Sequence, residues 1–299
     1  MVLAFLYLDP ISVINHPCQP PVSMTESSRR WERIEAAIEK FEEFEYSVDG
    51  QFNDTPPAEL SRLIDHTLLK PDATSDNIRS LCEVAKKYNL KTVCVNSSWI
   101  ELCDSLLQPE QDITVPIPIA VVGFPLGAGL TAAKAFEAKA AIDAGAKEID
   151  MVLHVGRLIE EDYDYVFQDI KAVYDACDGV PLKVILETPL LEYENIVAAC
   201  CICKEVGVAF VKTSTGFGTG SGGGSRFGGG SRFGGGRGSG GGSTKPGHVA
   251  LMKAVVGHHV QVKASGGIMS YDDAIKMLNA GATRIGASAS ISIVSPRRT

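Results

Sequence analysis

Apolar positions along the chain follow two alternating rhythms. Eight short apolar runs read as strands: SRLIDHTLL (61–69), KTVCVN (91–96), IPIAVVGF (117–124), KEIDMVLHV (147–155), LKVILET (182–188), AFVKTST (209–215), VQVKAS (260–265) and TRIGAS (283–288). Between them lie stretches with helical spacing, such as TAAKAFEAKAAIDA (131–144) and YDDAIKMLNA (271–280). The second follows Ser270 and has Asp273 three residues on, a capping-box-like start with Asp in place of Glu or Gln. Upstream, Trp31, Ile34, Ala37, Ile38 and Phe41 share one helical face and predict an amphipathic helix from roughly 29 to 45. Residues 1 to about 23 carry no such periodicity, and Met24 is a candidate start.

A weak repeat ties the two rhythms together. DAGAKEID, EVGVAFVK and NAGATRIG each run from a helix end through a glycine into an apolar strand. Gly145, Gly207 and Gly281 suit the left-handed position that closes a helix. Eight strands with intervening helices predict an α/β fold, a (β/α)8 TIM barrel over 61–299 behind an N-terminal extension, 1–60, with one amphipathic helix. An open doubly wound sheet is the rival; no GxGxxG opens a helix after the first strand, which counts against it.

One segment breaks the pattern. Residues 216–243 read GFGTGSGGGSRFGGGSRFGGGRGSGGGS and hold more than half of the chain's 30 glycines. Such a stretch buries too little to offset its entropy, so a disordered Gly-rich loop is expected over 217–243, after the sixth strand. Its three arginines and two further phenylalanines resemble RNA-binding tails. A catalytically weakened barrel whose insert binds RNA or protein is therefore the alternative from outside enzymology.

Bulk properties narrow the setting. With 299 residues the chain can bury a large core, and 45% hydrophobic with 21% charged residues is ordinary globular composition. The formal net charge of −8 argues against a nucleic-acid partner and requires a locally positive pocket for any anionic substrate. No stretch approaches a membrane span, and MVLAFLYLDP lacks the flanks of a signal peptide. The 8 cysteines show no disulfide framework, which fits reduced thiols in the cytoplasm.

Chemistry is expected where ionisable residues interrupt apolar strands, since barrel active sites sit at the C-terminal strand ends. Asp65, Asp150, Glu187, Lys212 and Lys263 are such residues. A second cation or desolvation frees a lysine amine to attack a carbonyl, and a nearby carboxylate can shuttle protons. Lys212, Lys263 and Asp150 supply these parts; a buried structural salt-bridge network is the competing explanation. Small residues at 265–267 (SGG) and 286–288 (GAS) let backbone N–H groups approach an anion after the last two strands. Cys200 and Cys203 form a CxxC without a second ligand pair and read as core. His66 and His154 read as structural, and His258 and His259 precede a strand on the opposite face.

The motifs then become specific. IDHTLLKPDAT (64–74), CVN (94–96), VVGFPLG (121–127), EIDMVLHVG (148–156), LKVILET (182–188), FVKTSTGFGTG (210–220) and VKASGGI (262–268) resemble the successive strand motifs of deoxyribose-phosphate aldolases. The resemblance runs from about 61 to 290, broken by the Gly-rich insert. It implies cleavage of 2-deoxy-D-ribose 5-phosphate to D-glyceraldehyde 3-phosphate and acetaldehyde, with no cofactor and no metal. By that resemblance Lys212 forms the Schiff base, Lys263 is the second lysine and Asp150 joins the proton relay. Asp65 and Cys94 would line the pocket near the substrate, and Gly216, Gly266, Gly267, Gly286 and Ser288 would serve the phosphate. The partners expected are a small phosphorylated sugar and, as an open option, a second copy in a homodimer. The insert follows Lys212 directly, and the final helix after the eighth strand reads short.

Overall fold

Each of the eight apolar runs contributes a strand, and the strands close on themselves. The computed structural model describes residues 25–46, 57–109, 115–217 and 243–295. The expectations for the aperiodic start, for Met24 and for the Gly-rich loop at 218–242 lie outside the described residues. In chain order the elements begin with α1 (Glu26–Phe41), α2 (Pro57–Ser61), β1 (Ile64–Leu68), α3 (Ser75–Lys87), β2 (Thr92–Asn96) and α4 (Ile100–Leu106). They continue with β3 (Ile117–Val122), α5 (Thr131–Asp143), β4 (Glu148–Val152), α6 (Val155–Ile159) and α7 (Tyr163–Ala176). After β5 (Leu182–Ile185) come α8 (Tyr193–Val206), β6 (Phe210–Lys212), α9 (Pro246–Val256) and β7 (Gln261–Ser265). α10 (Tyr271–Asn279), β8 (Arg284–Ala287) and α11 (Ser290–Val294) complete the order.

All eight strands pair in parallel and in sequence order, and β1 closes on β8 through Ile64↔Ile285 and Asp65↔Gly286. The open-sheet rival is thereby excluded. Strand side chains alternate between two environments, as a period of two requires. Val93, Val95, Ile149, Met151, Val184, Val211, Val262 and Ile285 join the main apolar core shared with the helices. Each such side chain contributes about 1.5–3 kcal/mol on burial, so the outward faces fix the barrel. The intervening residues face the barrel axis. Leu69, Cys94, Ile119 and Val121 form a small apolar patch there with Phe124. Below it lies a layer of buried charged side chains, and that layer is the substance of the site.

Helix ends match the chain's local chemistry. Ser270 accepts from the Asp273 N–H while the Asp273 carboxylate accepts from the Ser270 N–H, so the expected capping box forms. Thr74 and Asn77 make a second one at α3. Gly145, Gly207 and Gly281 adopt φ of 114°, 86° and 104°, the positive values their helix-to-strand joints need. The first helix differs in its limits from the 29–45 expected: Thr25 accepts from the Ser28 N–H, so the polar TESS run starts the helix. The helix ends with its last apolar face residue, Phe41, and the N–H of Phe44 then bonds the Phe41 carbonyl. It packs on α7 and α8 through buried Ile34 and through Trp31 against Tyr163, ring centroids 4.5 Å apart. Buried Arg30 pairs with Glu205 and Asp164 and lies 3.7 Å over the Phe167 ring.

Cys200 and Cys203 are fully buried on α8, as core residues. Among the described residues no group of His, Cys, Asp and Glu is placed to hold a metal ion, and no helix is long and apolar enough to cross a membrane.

Candidate active site

Four parallel strands bring four basic side chains into the barrel. Lys183 comes from β5, Lys212 from β6, Lys263 from β7 and Arg284 from β8, paired in register as Ile185↔Lys212, Lys212↔Lys263 and Lys263↔Arg284. Three carboxylates answer them: Asp65 on β1, and Glu148 and Asp150 on β4. All seven are buried. Asp150 is the hub. Its Oδ2 accepts from the Nζ of Lys212 at 2.9 Å and of Lys263 at 2.8 Å, and its Oδ1 accepts from Lys183 at 2.8 Å. Lys183 also reaches Glu148 at 2.5 Å. Lys263 reaches Asp65 Oδ2 at 2.5 Å, and Arg284 bridges Asp65 Oδ1 at 2.8 Å to Glu148 at 3.3 Å. The Phe210 ring lies among them, 5.7 Å from the Lys183 ammonium and 5.3 Å from the Arg284 guanidinium.

The electrostatics follow from this packing. Burial alone would raise the Asp150 carboxyl, but Lys183, Lys212 and Lys263 overcome it and hold it well below the usual carboxylate range. Asp65 is likewise raised by burial and lowered further by Lys263, Arg284 and Lys183. Burial lowers the Lys263 ammonium, but Asp150 and Asp65 more than offset this and hold it above the ordinary lysine value. Lys263 is therefore a fixed cation. Four basic groups thus face three carboxylates in the cluster. Lys212 has one carboxylate contact, whereas Lys183, Lys263 and Arg284 each have two. It is the amine of the cluster with the fewest carboxylate contacts.

Lys212 is also the member of the cluster that opens to a cavity, of about 300 Å³, at the C-terminal end of the barrel. Gly216, Gly266, Gly267, Gly286 and Ser288 line the same cavity. The loops carrying them are braced. Ser214 Oγ donates to the Ser265 carbonyl at 2.6 Å, and Ser265 Oγ donates back to the Ser214 carbonyl at 2.6 Å. The Thr215 N–H donates to Glu187, itself at φ 60° just beyond β5. Gly266 has φ of 100°, and a Cβ there would meet Ser214 Oγ at 2.4 Å. At Gly286 a Cβ would lie 3.0 Å from the Lys263 Cε, so the missing side chain leaves room for the second lysine.

Two expected pocket residues sit elsewhere. Asp65 and Cys94 do not line the cavity. Asp65 is only the second residue of β1, level with Thr92 and Gly286, so it lies in the ion-pair layer and accepts from Thr92 Oγ1 at 2.7 Å. Cys94 is fully buried in the apolar patch, and burial and then the Asp150 charge push its thiol up. His66 and His154 are satisfied: His66 Nδ1 lies 2.9 Å from Ser290 Oγ, and His154 Nδ1 accepts from the Arg157 N–H. His258 and His259 are exposed beyond α9. Glu148, Lys183 and Arg284 are not among the residues expected from the sequence. Counting back two positions from Asp150, Ile185 and Gly286 along strands of period two would have found all three.

Comparison with known proteins places the chain in context. A family model described as DeoC/LacD family aldolase matches residues 61–293. The deoxyribose-phosphate aldolase of Finegoldia magna is 48% identical over 236 residues, covering 79% of this chain and 99% of the relative. That of Clostridium novyi is 48% identical over 236 residues, covering 79% of this chain and 95% of the relative. A solved Coccidioides immitis structure, provisionally named a deoxyribose-phosphate aldolase, superposes with a TM-score of 0.76 at 34% identity, covering 93% of this chain and 100% of the other. The tetrameric deoxyribose phosphate aldolase of Aeropyrum pernix gives 0.66 at 25% identity, with 87% and 94% covered.

Proposed function

The chain belongs to the DeoC/LacD family of aldolases, and on that premise we propose that it cleaves its substrate through an imine on Lys212. The activity is that of a deoxyribose-phosphate aldolase, a carbon–carbon lyase acting on a phosphorylated sugar. The observation that carries the mechanism is the shared oxygen: Lys212 and Lys263 both donate to Asp150 Oδ2, and Lys212 faces the cavity.

The chemistry follows in order. The neutral Lys212 amine attacks C1 of the open-chain sugar, and water leaves to give the iminium. The C3 hydroxyl gives up its proton to the Asp150 carboxylate, the C2–C3 bond breaks, and its electron pair moves into an enamine on Lys212. C3 leaves as the aldehyde of D-glyceraldehyde 3-phosphate. Protonation at C2 and hydrolysis release acetaldehyde and return the amine. Lys263 supplies a fixed positive charge that favours neutral Lys212 before attack. Asp150 holds both amines on one oxygen and is the carboxylate placed to take the proton released at C3 and return it at C2. The glycine-rich loops after β7 and β8 offer backbone N–H groups to the phosphate.

Two further parts of the proposal have their own support. Seven unpaired cysteines among the described residues suit a cytoplasmic location. Self-association is supported by the tetrameric Aeropyrum pernix relative. The mechanism is tested by Lys212→Leu, which removes the nucleophile and is expected to abolish acetaldehyde release. Retention of the unmodified kcat by a folded Lys212→Leu sample contradicts it.

A further inference from the structure

The rim of the cavity holds a charge that the Schiff-base chemistry does not use. Among the described residues the ionisable side chains lining it are Lys70 and Lys212, and no carboxylate joins them. In a chain of net charge −8 that is a local reversal of sign. Lys212 is buried and held by Asp150. Lys70 is exposed, and among the described residues its ammonium has no hydrogen-bond or ion-pair partner.

Its place in the fold is specific. Lys70 follows β1, and β1 pairs with β8, which in turn pairs with β7. The Gly286–Ser288 loop therefore lies between Lys70 and the Gly266–Gly267 loop. An anion seated over those two loops has Lys70 on one flank and the Lys212 strand on the other. The backbone carrying Lys70 is pinned on both sides. Asn96 Nδ2 donates to the Leu69 carbonyl at 3.4 Å, and the Ala73 N–H donates to the Lys70 carbonyl at 3.2 Å. The capping box at Thr74 then starts α3. The backbone from which Lys70 reaches the rim is thus held in place.

We propose that Lys70 is a specificity-determining residue that recognises the phosphate of the substrate, adding a full positive charge to an anion otherwise met by neutral backbone N–H groups. The proposal rests on the Lys212 site described above. Removing a charge-assisted hydrogen bond of this kind lowers affinity on the order of 10- to 100-fold. Exposure and salt pull the effect toward the lower end.

The test compares kcat/KM for 2-deoxyribose 5-phosphate and for unphosphorylated 2-deoxyribose in the unmodified chain, Lys70→Met and Lys70→Arg. The ratio of the two values is expected to fall about 10- to 100-fold in Lys70→Met, chiefly through KM, and to recover in Lys70→Arg. An unchanged ratio, or equal loss on both sugars, overturns the role of Lys70. Borohydride trapping of acetaldehyde, which carries no phosphate, separates the two levels. Trapping on Lys212 in both proteins with an unchanged ratio sinks Lys70 alone. No trapping in the unmodified chain sinks the Schiff-base site and the proposal with it.

Discussion

Replacing Lys263 with Met removes a fixed cation and nothing that touches the cavity. Lys263 is fully buried and donates to Asp150 Oδ2, the oxygen that also holds Lys212. Two unit charges roughly 5 Å apart at an effective dielectric of about 20 repel by about 3 kcal/mol. At about 1.4 kcal/mol per factor of ten, that repulsion favours neutral Lys212 by roughly 200-fold. Without Lys263, the cluster holds Lys183, Lys212 and Arg284 against three carboxylates. Without that repulsion the protonated amine, which cannot attack, is no longer disfavoured. Lys263→Met is thus expected to lose about 100- to 1000-fold in kcat at neutral pH and to regain about tenfold per pH unit toward pH 10. The assay is the pH profile of kcat from pH 6 to 10, with the fold checked by circular dichroism. Lys263→Arg, which keeps the charge, should retain more activity at neutral pH than the Met variant. A loss in a folded Met variant that is the same at every pH refutes the reasoning, since it would make Lys263 a structural partner only.

Two further outcomes follow from the geometry. Gly266→Ala places a methyl group 2.4 Å from Ser214 Oγ at a φ of 100°, a strain of about 1–3 kcal/mol, so the β7 loop must shift. Its KM for the phosphorylated sugar should rise more than its kcat falls; steady-state kinetics showing an unchanged KM would contradict the role given to that loop. Folding stability should fall as pH drops from 6.5 to about 4, because burial lowers the His66 imidazole to about 4 while the unfolded ring still binds a proton. That contribution is present above 6.5 and amounts to roughly 3 kcal/mol when lost. His248, lowered by burial and then by Lys245, adds in the same direction. Asp65 and Asp150, lowered from 3.8, lose their contribution only in stronger acid, and Lys263, raised above 10.5, keeps its own until stronger alkali. Urea midpoints at pH 7.5 and 4.5 measure the slope; His66→Asn should flatten it, and equal midpoints in the unmodified chain would refute it.

Much of the fold is written in local pattern. Every observed strand falls inside one of the eight apolar runs, because outward Val, Ile and Leu recur at period two. Gly145, Gly207 and Gly281 could be placed because a helix-to-strand joint needs positive φ. Asp150, Lys212 and Lys263 stood out because a charge in an apolar strand lacks an ordinary reason to be there. Depth inside the barrel was not visible. Asp65 enters two residues before Thr67, which does line the cavity, and that one pleat puts it in the ion-pair layer instead. Glu148 and Arg284 begin their strands and Lys183 stands second in its own, where a polar residue next to a turn carries no signal of burial. Other features depend on parts far apart in sequence. Lys134 is buried against Asp169 at 2.5 Å with the Gly127 carbonyl at 2.8 Å, a meeting of α5 with α7 that neither helix announces. The five-residue helices α2, α6 and α11 are too short to show a period.

The central claim is that Lys212 is the amine that forms the imine. The most direct measurement incubates the chain with 2-deoxyribose 5-phosphate, reduces with borohydride and maps the adduct by peptide mass spectrometry. A single adduct on Lys212 is expected, with none on Lys183 or Lys263, whose ammoniums each bridge two carboxylates. An adduct on either of those lysines, or none on a folded and active sample, contradicts it.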